Sequence, residues 1–257
     1  MSSQKDTPLI KAIINRKIDA ARLLINFGAN VDTFFKLKFS YLRTIVKNDD
    51  LEMVEFLISI GMNINIKDSY GTNLFFFAKS IEMAELLRRN GLQVEKNLGD
   101  LYHVLDESIR LKNVKLMKFF VENGANVNAM SNYEHMELLK DSKILKFAID
   151  SGIDVNRRAS IVGSTLLIHA AYNRDVEAML ILFESGKVDL NVQNNIQQTA
   201  LSEYLTHNKN PSFLVIRALA TRKNLGMHDH IDRLPVHHYI ESQKNPKKEI
   251  VNFLMKF

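Results

Sequence analysis

The sequence predicts an all-α protein, a solenoid of about eight helix-turn-helix repeats joined by short β-hairpin-like turns. Two observations carry this expectation. Residues 116–128 read LMKFFVENGANVN, and versions of that phrase stand at 20–32 (AARLLINFGANVD), 53–65 (MVEFLISIGMNIN) and 144–156 (ILKFAIDSGIDVN). The helix-ending glycine of the phrase falls at Gly28, Gly61, Gly91, Gly124, Gly152 and Gly186, at intervals of 33, 30, 33, 28 and 34 residues. Self-similarity at such a period marks units that cannot bury an apolar face alone and must stack into a continuous core.

Each element of the repeat has its own signal. Apolar positions 116, 117, 119, 120 and 121 line one helical face, and Gly124 supplies the left-handed residue at which helices commonly end. A shorter helix precedes it. Its start is clearest at Thr7-Pro8-Leu9-Ile10-Lys11-Ala12, with Thr7 placed to cap the helix and Pro8 in its first turn. The same start recurs as Asn73-Leu74-Phe75-Phe76-Phe77-Ala78 behind the turn Asp68-Ser69-Tyr70-Gly71. It returns as Thr165-Leu166-Leu167-Ile168-His169-Ala170-Ala171 behind Gly163-Ser164, and as Leu234-Pro235-Val236-His237 near the end. The repeats then run at about 1–32, 33–65, 66–94, 95–128, 129–156, 157–191, 192–227 and 228–257. Small Ala12, Ala78, Ala170 and Ala171 suit close helix approach. The bulky pairs Leu23/Leu24, Phe56/Leu57, Leu86/Leu87, Phe119/Phe120 and Ile181/Leu182 are expected to fill the core between repeats.

A turn, T-P-L-H-x-A-A, a second helix and G-A-x-V-N form the pattern of the ankyrin repeat, and the chain resembles that family along essentially its whole length. The resemblance implies one ankyrin-repeat domain over 1–257, a curved, elongated stack whose concave face is built from turn tips and the outward sides of first helices. It further implies a non-enzymatic module that grips another protein, without cofactor. The irregular repeats and the Lys/Asn/Ile-rich composition are similar to ankyrin proteins of large DNA viruses or intracellular bacteria.

Three departures stand out. The third repeat is three residues short around residues 78–82, which predicts a tight link between its helices. The fifth retains little of the T-P-L-H pattern over 131–141, where a kink is expected. The seventh carries Lys209-Asn210-Pro211 between its helices and has Lys223 at the glycine position.

Carried over by position, the resemblance places partner-binding candidates at Lys36, Phe39, Lys47 and Asn48 in the second repeat and at Ser69, Tyr70, Thr72 and Lys79 in the third. The fourth gives Asp100, Tyr102, Glu107 and Arg110. The sixth gives Ile161, Ser164, His169, Tyr172 and Asn173, and the seventh Asn195, Gln198, Glu203 and His207. Large rigid groups dominate interface energetics, which puts Phe39, Tyr70, Tyr102, Arg110 and Tyr172 first. Phe75 matches the buried leucine of the motif, whereas Phe76, Phe77 and the pair Phe34-Phe35 are candidates for an exposed sticky patch.

Composition narrows the class. A hydrophobic fraction of 46% and a charged fraction of 25% are those of a folded protein. With no cysteine, disulfides, Cys-based zinc sites and thiol nucleophiles are excluded, and a cytoplasmic location, that of the host cell for a secreted effector, is expected. The net charge of +5 comes from interspersed residues, with only Lys244, Lys247 and Lys248 clustered, so no dedicated nucleic-acid surface is expected. The N-terminus lacks signal-peptide features, no apolar run approaches the roughly 20 residues of a membrane span, and a monomer is expected.

Catalytic signatures are missing. There is no G-x-S-x-G, P-loop or G-x-G-x-x-G. The His228-Asp229-His230-Ile231-Asp232 stretch with His237-His238 looks like the start of a metal-ligand set, yet it falls in a turn, and His237 occupies the motif histidine that hydrogen-bonds within the repeat. Asp49, Asp50 and Glu52 sit where carboxylates favour a helix start. Four functions follow in order: a pathogen effector or host-range factor that binds a host protein, an inhibitor or immunity protein that occludes a cognate toxin, a metal protein or cryptic enzyme using the C-terminal histidines, and a substrate for asparagine hydroxylation at Asn128.

Overall fold

The computed structural model describes residues 7–31, 39–94 and 104–256. Its contacts divide it into two compact units, residues 1–126 and 127–257. All regular structure among the described residues is helical.

In the first compact unit α1 (Pro8–Ile14) pairs with α2 (Ile18–Asn26), and α3 (Phe39–Lys47) with α4 (Leu51–Ser59). A 3₁₀ turn (Leu74–Phe77) precedes α5 (Ile81–Arg89), and α6 (Leu105–Arg110) precedes α7 (Val114–Glu122). Local chemistry sets the starts. Thr7 Oγ1 accepts from the Ile10 amide at 3.2 Å. Asp50, Ser80 and Asn113 open α4, α5 and α7 by accepting from Met53, Met83 and Leu116 amides at 3.3, 3.0 and 3.1 Å. The turn inside the first, second and fourth repeats is left-handed at a non-glycine residue, Arg16, Asp49 and Lys112 respectively. Side chains tie one such turn to the next: Arg16 Nε lies 2.7 Å from Asp50 Oδ2, Ser80 Oγ donates to Asp49 Oδ1 at 2.6 Å, and Asn113 Nδ2 donates to the Lys79 carbonyl at 3.4 Å.

In the second compact unit α8 (Asn132–Glu137) runs through a 3₁₀ turn (Leu138–Lys140) to α9 (Ser142–Asp150). Helix α10 (Leu166–Asn173) pairs with α11 (Val176–Glu184). Helix α12 (Ala200–His207) pairs with α13 (Phe213–Leu219), followed by the short α14 (Arg222–Leu225). Helix α15 (Pro235–Ser242) pairs with α16 (Lys248–Leu254). First helices pack in sequence, α10 on α12 and α12 on α15. The asparagine that closes a repeat bridges to the hairpin one repeat on. Asn128 donates to the Gly152 carbonyl at 3.0 Å and accepts from the Asp154 amide at 2.7 Å. Asn156 repeats the pair with Lys187 and Asp189 at 2.9 and 2.8 Å. Backbone groups that no helix satisfies find their partners this way.

The core follows the repeat phrase with one correction. Phe56, Leu57, Leu86, Leu87, Phe119, Phe120, Ile181 and Leu182 are buried, as are all four alanines expected in first helices. Leu23, however, is 57% exposed and Leu24 half-buried. Phe120 meets Phe75 edge-on at 5.7 Å.

Two other expectations are corrected. The short third repeat loses its residues from the first helix, which shrinks to one 3₁₀ turn, while Ala78 to Ser80 stay extended and Ser80 still caps α5. In the seventh repeat Lys223 does not end the second helix; it lies inside α14, which Thr221 and Asn224 open as a reciprocal capping box. The linkers of the last two repeats share one device. The buried Tyr204 and Tyr239 hydroxyls accept from the Ser212 and Lys247 amides at 3.1 and 2.9 Å, holding the two Lys-Asn-Pro linkers.

Phe120→Ala is expected to lower unfolding stability by about 3–5 kcal/mol through the cavity it leaves. Phe27→Ala, removing a side chain 82% exposed, is expected to change stability little. Urea denaturation of both variants measures the difference.

Candidate functional site

Three successive repeats of the second compact unit converge on one open cavity of about 750 Å³. Helix α8 contributes Asn132, Tyr133 and Met136. The next hairpin contributes Ala159, Ser160, Ile161, Val162 and Ser164, and α10 adds His169 and Tyr172. The far wall is Ile196, Gln198, Glu203 and His207. The helices can present this side because their opposite faces, including Ala170 and Ala171, are fully buried.

Hairpin tips frame the cavity through a repeated turn. Asn194 Oδ1 accepts from the Ile196 and Gln198 amides at 3.1 and 2.9 Å, and Asp229 Oδ1 from those of Ile231 and Arg233 at 3.0 and 2.9 Å. In the first compact unit Asp68 holds Tyr70 and Thr72 in the same way. A short polar side chain that caps its own turn leaves the residue two positions on pointing outward. That residue is apolar or aromatic each time: Tyr70, Val162, Ile196, Ile231, all exposed. The tip before Val162 is Ile161, wholly exposed. Neighbouring tips are joined, Asn195 N donating to the Val162 carbonyl at 2.8 Å and His230 N to that of Ile196 at 3.3 Å. Gly163 is required there. Its φ is +69°, and a Cβ would meet Asn195 Oδ1 at 2.4 Å.

The floor is polar and sparsely satisfied. Tyr172 stands between His169, 6.4 Å away, and His207, 4.4 Å away and edge-on. Glu203 is 5% exposed. Its Oε1 accepts from Asn194 Nδ2 at 3.0 Å, but Oε2 has no hydrogen-bond partner. His207 Nε2 lies 3.2 Å from Oε2 without hydrogen-bond alignment. Burial raises the Glu203 pKa against the opposing Asn194 bond. Burial lowers those of His169 and His207, helped by Lys140 and Arg174 respectively. Lys140 is itself paired with Glu137.

Of the residues expected from sequence, Ile161, Ser164, His169, Tyr172, Gln198, Glu203 and His207 all line this cavity. Asn173 is exposed on the end of α10 outside it, and Asn195 is engaged by Arg158 Nη2 at 2.6 Å as a strut between tips. Phe39 in the first compact unit is half-buried and packs on Phe77 at 5.8 Å, with Arg43 over the Phe77 ring. Phe76 and Phe77 are thus half-covered and form no open patch. Lys47, Asn48, Ser69 and Tyr70 are exposed, and Lys79 half-buried. Thr72 is fully buried, and Arg110 is paired with the half-buried Glu107. Lys36, Asp100 and Tyr102 lie outside the described residues, as do Phe34 and Phe35. Sequence reasoning missed Tyr133, Met136, Val162 and Ile196. The tip pair carries a legible signal, an apolar residue two after the turn-capping Ser160 or Asn194, whereas α8 is too degenerate to align.

The C-terminal histidines have separate tasks. His237 Nδ1 accepts from the Leu234 amide at 2.9 Å, within its own repeat as expected. His238 is buried, Nδ1 2.8 Å from Thr206 Oγ1 and Nε2 3.3 Å from Asp229 Oδ2. Asp229 is also held by Arg233, and its pKa is about 2 because those hydrogen bonds outweigh its burial. His230 Nδ1 lies 3.1 Å from the Ile196 carbonyl, and His228 Nδ1 3.4 Å from the exposed Asp232. No group of three or more metal-ligating side chains occurs among the described residues.

Comparison with known proteins agrees with this architecture. Residues 1–68 match the family model of ankyrin repeats (three copies). An ankyrin repeat protein of Fowlpox virus (strain NVSL) is 27% identical over 141 residues, covering 54% of this chain and 23% of its own length. A second Fowlpox virus ankyrin repeat protein is 30% identical over 123 residues, covering 47% and 28%. One from Acanthamoeba polyphaga mimivirus is 28% identical over 118 residues, covering 46% and 36%. The chain therefore spans between 23% and 36% of the length of these curated relatives. Among solved structures, the ankyrin repeat domain of Bcl-3, a member of the IkappaB protein family, superposes with a TM-score of 0.62 at 21% identity, over 84% of this chain and 98% of that one. The human ASB11 ankyrin repeat domain gives 0.61 at 20%, over 83% and 96%. The fold is the ankyrin-repeat solenoid, and the likeness to viral ankyrin repeat proteins read from the sequence stands.

Behind the cavity wall, His135 on α8 is fully buried with neither ring nitrogen hydrogen-bonded. Desolvation, then Arg157, hold its pKa at about 4, below the ordinary 6.5, against a smaller pull from Asp154. The folded state resists a proton that the unfolded chain accepts. Stability therefore falls as pH drops through 6.5 and levels off only below about 4. His135→Leu is expected to remove about 2–3 kcal/mol of the stability loss between pH 7 and 4.5, read as a flatter pH dependence in denaturant titrations.

Proposed function

We propose that this chain is a non-enzymatic binding module whose partner protein docks in the cavity and against the hairpin tips of residues 127–257. Ankyrin repeats are protein–protein interaction modules, and the question is which surface of this one is used. The carrying observation is the exposed apolar frame of Ile161, Val162, Tyr133 and Tyr172 around a cavity of about 750 Å³. Folded chains rarely leave aromatic and branched side chains clustered in water without a use, and such anchors at a concave surface supply most of the energy of an interface. The tips are held by the turn bonds and inter-tip bonds described above, so little ordering entropy opposes docking. The likeness to Fowlpox virus and mimivirus proteins supports a setting in which a virus-type factor engages a protein of its host, in the cytoplasm of the host cell.

Affinity capture with the chain as bait, followed by mass spectrometry, tests the site. The double variant Ile161→Asp/Tyr172→Ala is expected to lose a partner that the unaltered chain retains, with its melting temperature nearly unchanged because both side chains are exposed. Leu180→Asp, on the exposed side of α11, is the control and is expected to retain that partner. Equal capture by the double variant, or loss in the control as well, would place binding elsewhere.

A further inference from the structure

The cavity is apolar on its walls but not at its floor, and the exception is chemically specific. Of its lining residues only Glu203 is a carboxylate, and none is lysine or arginine. Asn194 satisfies one carboxylate oxygen, and the other is buried with no hydrogen-bond partner. A buried acceptor left in this state costs the full desolvation of the group, which folding ordinarily avoids. Thr199, which caps α12, and Ser202 in its first turn bond to each other, and neither hydroxyl is a partner of Glu203 Oε2. His207 is the basic side chain within ion-pair distance among the described residues, and its depressed pKa keeps it neutral near pH 7. The oxygen is thus the acceptor of the cavity that a donor from outside would satisfy.

We propose that the cavity admits a lysine or arginine side chain from the docked partner, its aliphatic stem against the apolar walls and its charged head on Glu203 Oε2. Such side chains combine a long apolar stem with a terminal cation, matching apolar walls over one acidic floor group. The half-exposed Tyr172 ring, which lines the cavity, adds an aromatic group suited to a cation. The proposal deepens the binding reading and rests on it. A neutral donor such as a backbone amide is the competing occupant, and the two differ in charge alone.

Titration of the isotopically labelled full chain by NMR separates them. The probes are four acetylated, amidated tripeptides with leucine at both ends and arginine, lysine, citrulline or norleucine at the centre. The expected result is saturable movement of the Ile161 and Met136 methyl signals with the arginine or lysine probe, binding about tenfold or more tighter than citrulline or norleucine, the worth of a charge-assisted bond in a dry site. Whichever of the two cationic probes is tighter names the side chain. Glu203→Gln keeps an oxygen for Asn194 and removes the charge, and it is expected to abolish the preference. Equal response to citrulline or norleucine would overturn the cation while leaving the cavity as a docking site. No movement of the two methyl signals with any probe would overturn it as well, and the capture experiment above would then judge the binding reading separately. The citrulline comparison uses the unaltered chain, so it decides the matter even if Glu203→Gln does not fold.

Discussion

Everything in this protein depends on stacking: no repeat has enough apolar surface to fold alone, so each helix pair is stable only against its neighbours. Phe56, Leu86, Phe119 and Ile181, each five residues before its glycine, are buried at equivalent places in their repeats. At Leu23, the matching place in the first repeat, the same kind of residue is 57% exposed. The apolar phrase is thus necessary for burial and insufficient for it. Position in the stack decides.

Stacking also fixes where polar groups meet. The asparagines that close repeats reach a hairpin one repeat on, and the turns between helices are tied by Arg16 to Asp50 and Asp49 to Ser80. These bonds are geometric consequences of a near-constant translation from one repeat to the next. The same translation sets Tyr172 against His207 and carries Val162 to Ile196 to Ile231 as a line of tips. The proposed recognition and the stability therefore rest on different residues of the same unit, as expected when the core-facing positions are shared and the outward ones are free to vary.

Buried polar groups fall into two kinds here. Asp229, His238, Arg233 and Thr206 are linked by the Arg233–Asp229 pair and the Thr206–His238 bond, although His238 Nε2, 3.3 Å from Asp229 Oδ2, has no hydrogen-bond partner, and a structural role is sufficient for them. Glu203 and His135 are open. His135 resolves its isolation by staying neutral, at the expense of acid stability. Glu203 faces a cavity reachable from solvent, so its unmet oxygen has an outlet that His135 lacks. Similar burial leads to different consequences because access differs.

Much was legible in the residues alone. Period, glycine stops, caps such as Thr7 and Asp50, and the buried alanines follow from local rules that a single repeat obeys. Seven residues of the cavity were also legible, because the resemblance assigns outward positions on α10 and α12 and in the turns before them. What the residues could not give was conjunction. Tyr133 belongs to a degenerate repeat with no alignable pattern, the third repeat hid which helix its deletion shortened, and Thr72 looked outward until packing buried it. Sequence by itself determined the unit and its punctuation, which depend on neighbours a few residues apart. Tertiary structure alone decided that Tyr133, Tyr172 and Glu203 share one cavity and that one carboxylate oxygen lacks a partner, since both depend on distances set by stacking residues some 30–70 positions apart.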